Sequence, residues 1–151
     1  MTGPVLVGVP RDHRPSVLRR AADLAAALGT ELLCVAVDES SVRAPSGEAV
    51  PVDPDAASPG DVAAAVRAEV AAPLADSPVP WRLECTAGDP AAELARLATA
   101  HDAMMIVVGA RRPGMRGWAT HLVGGTVAGR LIHDQTRPVV VLPEPRADDA
   151  S

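Results

Sequence analysis

Residues 88–109 read GDPAAELARLATAHDAMMIVVG, a helical pattern that passes directly into a run of apolar residues. Asp89 is of a type that commonly caps a helix amino terminus, and Pro90 suits the first helical position. Leucine and alanine then recur at the spacing of one helix face. Residues 103–109 carry no polar side chain, which is typical of a strand covered on both faces. This stretch therefore predicts a parallel sheet between layers of helices.

The same alternation of strand and helix patterns continues along the rest of the chain. It predicts an α/β fold, a five-stranded parallel sheet sandwiched by helices in a Rossmann-like arrangement with right-handed crossovers. One domain is expected over residues 1–143, with a flexible loop at 38–60 and a polar tail at 144–151. The predicted strands are 4–9, 31–37, one within 79–88, 103–109 and 138–143; the predicted helices begin at Pro15, at an N-cap Asp61, at Asp89 and near Thr126.

Composition excludes several classes of function. The net charge is −5 and only Trp81 and Trp118 are aromatic, which argues against a nucleic-acid footprint or a base-stacking platform. No apolar run approaches the ~20 residues of a membrane span, and the first residues lack a signal-peptide pattern. We therefore expect a cytoplasmic protein with no membrane association. Cys34 and Cys85 lie in strand patterns and are expected to be reduced, buried core residues.

The glycine-rich segment 107–130 reads VVGARRPGMRGWATHLVGGTVAGR and contains six glycines. It is not a P-loop, because Met115 and Arg116 follow Gly114 and the chain has no lysine. Gly124, Gly125 and Thr126 precede a predicted helix, where free backbone N–H groups can bind an anion. A glycine turn with a threonine N-cap explains the same residues without a ligand, so both interpretations stay open.

The four histidines give little support to metal binding or catalysis. They have neither HxH nor HxxxH spacing, and no nucleophile elbow is present. His101 and His133 are expected near helix carboxyl termini, where an imidazolium interacts favourably with the helix dipole. His121 lies in the glycine-rich segment and could face a ligand. We predict no metal site and no catalytic residues.

Taken together, these segments resemble the universal stress protein family. The resemblance rests on the first strand and helix, the GDPAAELARLATAHDAMMIVVG block, GGTVAGRLIHD and the closing RPVVVLP, and it covers nearly the whole chain apart from 38–60 and the tail. It implies the strand order 3-2-1-4-5 and a homodimer that pairs through strand 138–143. Some family members bind ATP through a Gly, two residues, Gly, nine residues, Gly-Ser/Thr pattern, and others bind no nucleotide.

Three departures from that pattern stand out. Pro10 occupies the position of an aspartate that contacts the adenosine, with Asp12 two residues on. Arg112 replaces the second glycine unless Gly114 substitutes for it. Gly125 follows Gly109 by sixteen residues where the pattern has thirteen, so the loop is three residues longer. Guanidinium groups pair well with phosphate, so Arg111, Arg112 and Arg116 could offset these losses.

The resemblance thus implies a protein that binds an adenine nucleotide, ATP with Mg²⁺, as a regulatory ligand in the stress response and is not an enzyme, with slow ATP hydrolysis left open. The alternative is a member that binds no nucleotide and acts through dimer or partner contacts. A third reading is an enzyme for another phosphorylated ligand that uses His121. The implied nucleotide-binding residues are Pro10, Asp12, Ala36, Val108, Gly109, Arg111, Arg112, Gly114, Gly124, Gly125, Thr126, Val127 and Ala128.

Overall fold

A computed structural model describes residues 3–11, 13–39, 41–46, 49–51, 59–110 and 127–143. Helices and strands alternate along most of this part of the chain, as the apolar patterns predict. The elements in chain order are β1 (Val5–Val9), α1 (Pro15–Ala27), β2 (Leu32–Asp38), β3 (Ser41–Arg43), β4 (Ala49–Pro51), α2 (Pro59–Leu74), β5 (Trp81–Ala87), α3 (Pro90–Ala100), β6 (Met105–Gly109), α4 (Val127–Asp134) and β7 (Val139–Leu142).

Five strands form one parallel sheet in the order β5-β2-β1-β6-β7. Counting these five strands along the chain gives 3-2-1-4-5, so the fold class and the strand order are both confirmed. β1 lies at the centre and all five of its residues are buried. The direction in which strands are added reverses at β1. The chain first adds β2 and β5 on one side of β1 and then adds β6 and β7 on the other side.

The sheet separates two apolar clusters. On one face the alternate residues Val5, Val7 and Val9 pack with the buried stripe of α1 and with Val70 of α2. On the other face Leu6 packs with residues of α3 and with a buried leucine of α4. Strands buried on both faces need apolar residues at every position, which is why the sequence runs are continuous rather than alternating.

Local signals fix the ends of α1 as expected. Pro15 occupies the first turn, where its missing N–H would have no helical partner in any case. Gly29 follows the helix with a φ of +68°, a left-handed conformation that glycine adopts at low cost. Asp89 caps α3, since its Oδ2 accepts a hydrogen bond from the backbone N of Ala92 at 2.9 Å.

Three predictions about local structure are wrong. Residues 38–60 are not only loop, because β3 and β4 pair as an antiparallel hairpin within them. Asp61 is not the N-cap of α2: the helix begins at Pro59, and Asp61 lies in its first turn, where a carboxylate suits the helix dipole. Cys85 is not a core residue, because it is exposed on β5, at the edge of the sheet.

Cys34 is buried as predicted, and neither cysteine forms a disulfide. Burial raises the pKa of the Cys34 thiol to about 12, because a thiolate would lose its hydration there. No helix among the described residues has both the length and the apolar character needed to cross a bilayer.

Candidate functional site

The carboxyl ends of β1, β2 and β6 lie at the same end of the sheet, which we call the carboxyl edge. It is distinct from the edge strands β5 and β7. Val9, the last residue of β1, pairs with Ala36 of β2. Gly109 ends β6 and pairs with Leu142 of β7. Parallel α/β sheets bind ligands outside this edge, at the point where strand order reverses. Here that point is β1, so the predicted residues Ala36, Val108 and Gly109 lie at the edge where a ligand is expected.

The turn that leaves β1 forms one side of this edge. The carbonyl of Pro10 accepts a hydrogen bond from the backbone N of His13 at 3.0 Å, and Pro10 is partly exposed. The backbone of Arg14 then adopts an extended conformation as the N-cap of α1. A proline side chain has no hydrogen-bonding group, so Pro10 can offer a nucleoside only its ring and its carbonyl. Asp12, the predicted substitute, lies outside the described residues.

Gly109 faces the α1 layer rather than open solvent. A side-chain carbon built at Gly109 would lie 2.9 Å from Nη2 of Arg14 and 3.2 Å from Cγ2 of Val17. The Nη2 of Arg14 donates a hydrogen bond to the carbonyl of Ala110 at 2.7 Å. Arg14 is only 9% exposed, so a guanidinium is buried at the junction of α1 and the end of β6. A cation in this position raises the electrostatic potential at the edge.

Val108 points to the opposite face of the sheet. It is buried in the cluster that includes α3 and α4, and Val127 and Ala128 of the first turn of α4 pack partly buried against the same cluster. The structure therefore brings the start of α4 against the sheet face to which Val108 belongs. The predicted Thr126 N-cap falls just before the described part of this helix.

Seven of the thirteen predicted residues lie outside the described part of the chain. Of the other six, Pro10, Ala36 and Gly109 lie at or just after the carboxyl ends of β1, β2 and β6, whereas Val108 packs on the opposite face of the sheet with Val127 and Ala128. The arginine and glycine contacts stay predictions. The seven are Asp12, Arg111, Arg112, Gly114, Gly124, Gly125 and Thr126.

Two buried charged residues, Arg14 and Glu93, were missed by the sequence analysis. Arg14 gives no local signal, because its partner Ala110 is 96 residues away in the chain. Glu93 is buried, and its Oε1 accepts a hydrogen bond from Thr86 Oγ1 at 2.5 Å while its Oε2 accepts one from Arg96 Nε at 2.7 Å. A carboxylate on the buried stripe of an otherwise apolar helix was the available signal for Glu93.

Two of the described histidines lie near carboxylates. Nε2 of His101 lies 3.3 Å from Glu84 Oε1, and Nδ1 of His13 lies 3.9 Å from Glu69 Oε2. His101 caps the carboxyl end of α3 and His133 lies in the last turn of α4, as predicted. Within the described ranges, no group of three or more histidine, cysteine or carboxylate side chains could hold a metal ion.

Comparison with known proteins identifies a family. The sequence model of the universal stress protein family matches residues 1–143. No protein among the curated sequences matches the chain.

Solved structures of universal stress proteins share the fold. One from Archaeoglobus fulgidus, in complex with dAMP, is 18% identical, covers 92% of this chain and 96% of its own, and gives a TM-score of 0.62. One in complex with cAMP is 17% identical, covers 95% and 98%, and gives 0.66. One from Arabidopsis thaliana, with AMP bound, is 16% identical, covers 98% and 97%, and gives 0.55.

Proposed function

Because the chain belongs to the universal stress protein family, we propose that it binds an adenine nucleotide at the carboxyl edge of β1, β2 and β6. The observation that carries this proposal is the arrangement of Ala36 and Gly109, two residues with minimal side chains, beside the buried guanidinium of Arg14 at the reversal of strand order. The methyl side chain of Ala36 leaves room for a planar base, and the cation that packs on Gly109 favours an anionic ligand. Structures of similar fold hold dAMP, cAMP and AMP, which supports an adenine nucleotide.

ATP is the nucleotide that we propose, with Mg²⁺ as its counter-ion. In this scheme the base lies near Ala36, and the phosphates lie near the start of α4. The backbone N–H groups of Val127 and Ala128 belong to the first turn of that helix, where free donors and the positive end of the helix dipole favour phosphate. Gly124, Gly125 and Thr126 would carry the phosphate turn, while Arg111, Arg112 and Arg116 would supply positive charge.

The nucleotide would act as a regulatory ligand in a cytoplasmic stress response. Catalysis of phosphoryl transfer needs groups that position a nucleophile and stabilise developing charge. A buried guanidinium beside the small residues Ala36 and Gly109 suits retention of a nucleotide, and no described residue is proposed to turn it over. Slow hydrolysis by residues of segment 111–126 is tested by chromatography of the nucleotide in the same samples that are used to measure binding.

The decisive experiment begins with the purified protein. Denaturation and chromatography identify any nucleotide that was retained, and calorimetry then measures the Kd for ATP, AMP and cAMP with and without Mg²⁺. We expect ATP to bind, and Thr126→Val and Arg112→Ala to weaken it by roughly tenfold each, because each removes a hydrogen bond to a charged group. No retained nucleotide and no heat at millimolar ATP would exclude this function.

The second candidate is a family member without a nucleotide that acts through protein contacts. Pro10 favours it, because it stands where ATP-binding members have an aspartate, and the longer loop between Gly109 and Gly125 favours it too. The same calorimetry discriminates between the two candidates. A protein that gives no heat with any adenine nucleotide but assembles into a stable dimer would support the second.

A homodimer is part of both candidates. β7 is an edge strand of the sheet, and Val141 on it is 44% exposed. An exposed apolar strand edge can pair with a second copy of itself. We therefore propose that two copies associate along β7, within the predicted segment 138–143.

A further inference from the structure

We propose that Arg14 is a positioning residue for the nucleotide site, and that residue 109 is glycine because the Arg14 guanidinium occupies the side-chain space there. This inference rests on the proposed nucleotide binding. It changes the role of Gly109. The resemblance implies that the backbone at Gly109 approaches a ligand, whereas here the Arg14 guanidinium lies in the space beside Gly109. In addition to the effect of its charge, Arg14 acts on the ligand indirectly, through the carbonyl of Ala110, the first residue after β6.

The glycine at 109 is not required by its backbone conformation. Among the described glycines only Gly29 and Gly88 have a positive φ. Gly109 lies in β6 and pairs with Leu142 in the regular parallel register, which any residue can adopt. The constraint is therefore steric. A methyl group at 109 would come within 2.9 Å of Arg14 Nη2, a distance that real side-chain carbons essentially never show.

The guanidinium is the far end of a flexible side chain, but a shift away from such a methyl group would act against its hydrogen bond. Its Nη2 donates to the Ala110 carbonyl at 2.7 Å, and Arg14 is 9% exposed, so a displaced cation would leave an acceptor without this donor. The backbone of Arg14 is held as well, because its carbonyl accepts a hydrogen bond from the N of Val17 at 3.0 Å. Arg14 therefore joins the start of α1 to the first residue after β6.

Ala110 lies within the glycine-rich segment and is the first residue after β6. Its backbone N donates to the carbonyl of Leu142 at 2.8 Å while its carbonyl accepts from Arg14. Both peptide groups around Ala110 are thus fixed to other elements. Fixing them holds the carboxyl end of β6 in one geometry, at the edge where the nucleotide is proposed to bind, and binding depends on that geometry.

The chain contains a matched control at the other end of β6. Nε of Arg137 donates to the carbonyl of Ala103 at 2.8 Å, just before the strand begins. Arg14 and Arg137 thus make the same kind of hydrogen bond, one at each end of β6. Only Arg14 lies at the edge where the nucleotide is proposed to bind, so stability and binding can be separated by comparing the two.

The first experiment compares Arg14→Met with Arg137→Met. Methionine keeps an unbranched apolar chain and removes the donor. We expect both variants to lower Tm, but only Arg14→Met to raise the Kd for ATP by about tenfold or more. Arg14→Lys, which keeps a donor, should recover part of the affinity. An unchanged Kd in Arg14→Met, or the same rise in Arg137→Met, would overturn the positioning role.

The second experiment introduces Gly109→Ala into the wild type and into Arg14→Ala. We expect Gly109→Ala to lower Tm and raise Kd in the wild type, but to do little in Arg14→Ala, where the guanidinium is gone. An equal loss of affinity in both backgrounds would mean that glycine serves the ligand itself, and the inference would fall. If the wild type binds no adenine nucleotide, the proposed function and the positioning role fail together, while the Tm values still decide whether Arg14 requires glycine at 109.

Discussion

Asp89 and Arg130 join the amino end of α3 to α4 through one carboxylate: Asp89 Oδ1 accepts a hydrogen bond from Arg130 Nη1 at 2.5 Å. Oδ2 of the same side chain accepts from the backbone N of Ala92, which caps α3. The hydrogen bond with Asp89 raises the pKa of Arg130. α4 is the helix whose first turn is proposed to hold phosphate, so this pair helps to place that turn against the sheet.

The two roles of Asp89 predict a graded effect on stability. Asp89→Ala removes both the cap and the ion pair and should lower the free energy of unfolding by about 1–2 kcal/mol. Asp89→Asn keeps an N-cap acceptor and should lose less than Asp89→Ala. Urea unfolding of the two variants measures the difference. Equal losses in both would show that the cap contributes little and that the charge on Asp89 dominates.

The buried pair of Thr86 and Glu93 predicts a specific role for the threonine hydroxyl. Thr86→Val keeps the shape but withdraws a donor from a buried carboxylate, and it should destabilise the fold by about 1–3 kcal/mol. Thr86→Ser keeps the hydroxyl and loses only a methyl group, so its cost should be smaller, about 1 kcal/mol. Denaturant unfolding tests the order, and a serine variant less stable than the valine variant would contradict it.

The loss of folding stability at alkaline pH should depend mainly on the thiol of Cys34. The chain has no lysine and no tyrosine, so apart from the amino terminus only thiols titrate between about pH 8 and pH 11. The folded-state pKa of Cys34 is raised to about 12, while an unfolded thiol has a pKa near ~8.5. Above that lower value the unfolded chain releases a proton that the folded protein keeps, so stability falls as pH rises.

From pH 8 to pH 10 the loss should be about 2 kcal/mol, measured by urea unfolding at each pH. Cys34→Ala should remove most of this slope, although it also lowers stability at every pH by leaving a small cavity. Cys85→Ala is the matched control, because it removes a thiol from the exposed strand β5 and leaves Cys34 in place. A slope that persists in Cys34→Ala would assign the transition to another group.

The proposed dimer predicts that a charge on β7 prevents association. Val141→Glu places a carboxylate at an exposed position of the edge strand, where two copies would bring like charges together, and sedimentation should shift toward monomer. Leu28→Glu is the control, since Leu28 is also exposed, at 40%, but lies at the carboxyl end of α1 and not on β7. A shift in both variants, or in neither, would locate the dimer interface elsewhere.

Most of the sheet could be predicted because its buried strands have a clear sequence pattern. Residues 4–9, 32–37 and 103–109 are continuous apolar runs, and burial on both faces favours apolar residues at those positions. The hairpin of β3 and β4 was missed for the opposite reason. Each of its strands has only three residues, between proline and glycine breaks, so no alternation is long enough to register.

The site could be predicted only in outline. Patterns along the chain marked Gly109 and the start of α4, because glycines and helix caps are local features. Such patterns could not reveal that Arg14 packs on Gly109. The two residues are far apart in the sequence, and their contact depends on how α1 packs on the sheet. Cys85 shows the same limit: an alternating strand has two faces, and only the sheet order decides that β5 lies at the edge.

The central position of β1 has a consequence for how the protein comes to be folded. Val5 pairs with Leu32 of β2, 27 residues on, but also with Met105 of β6, 100 residues on. The first pairing can form early, whereas the second must close a long loop and is slower. During synthesis one side of β1 therefore stays unpaired until β6 has been made. The edge that would receive a nucleotide is incomplete until β6 pairs with β1. Retention of a nucleotide would accordingly mark chains that have finished folding, and added nucleotide would draw unfinished ones toward the native state.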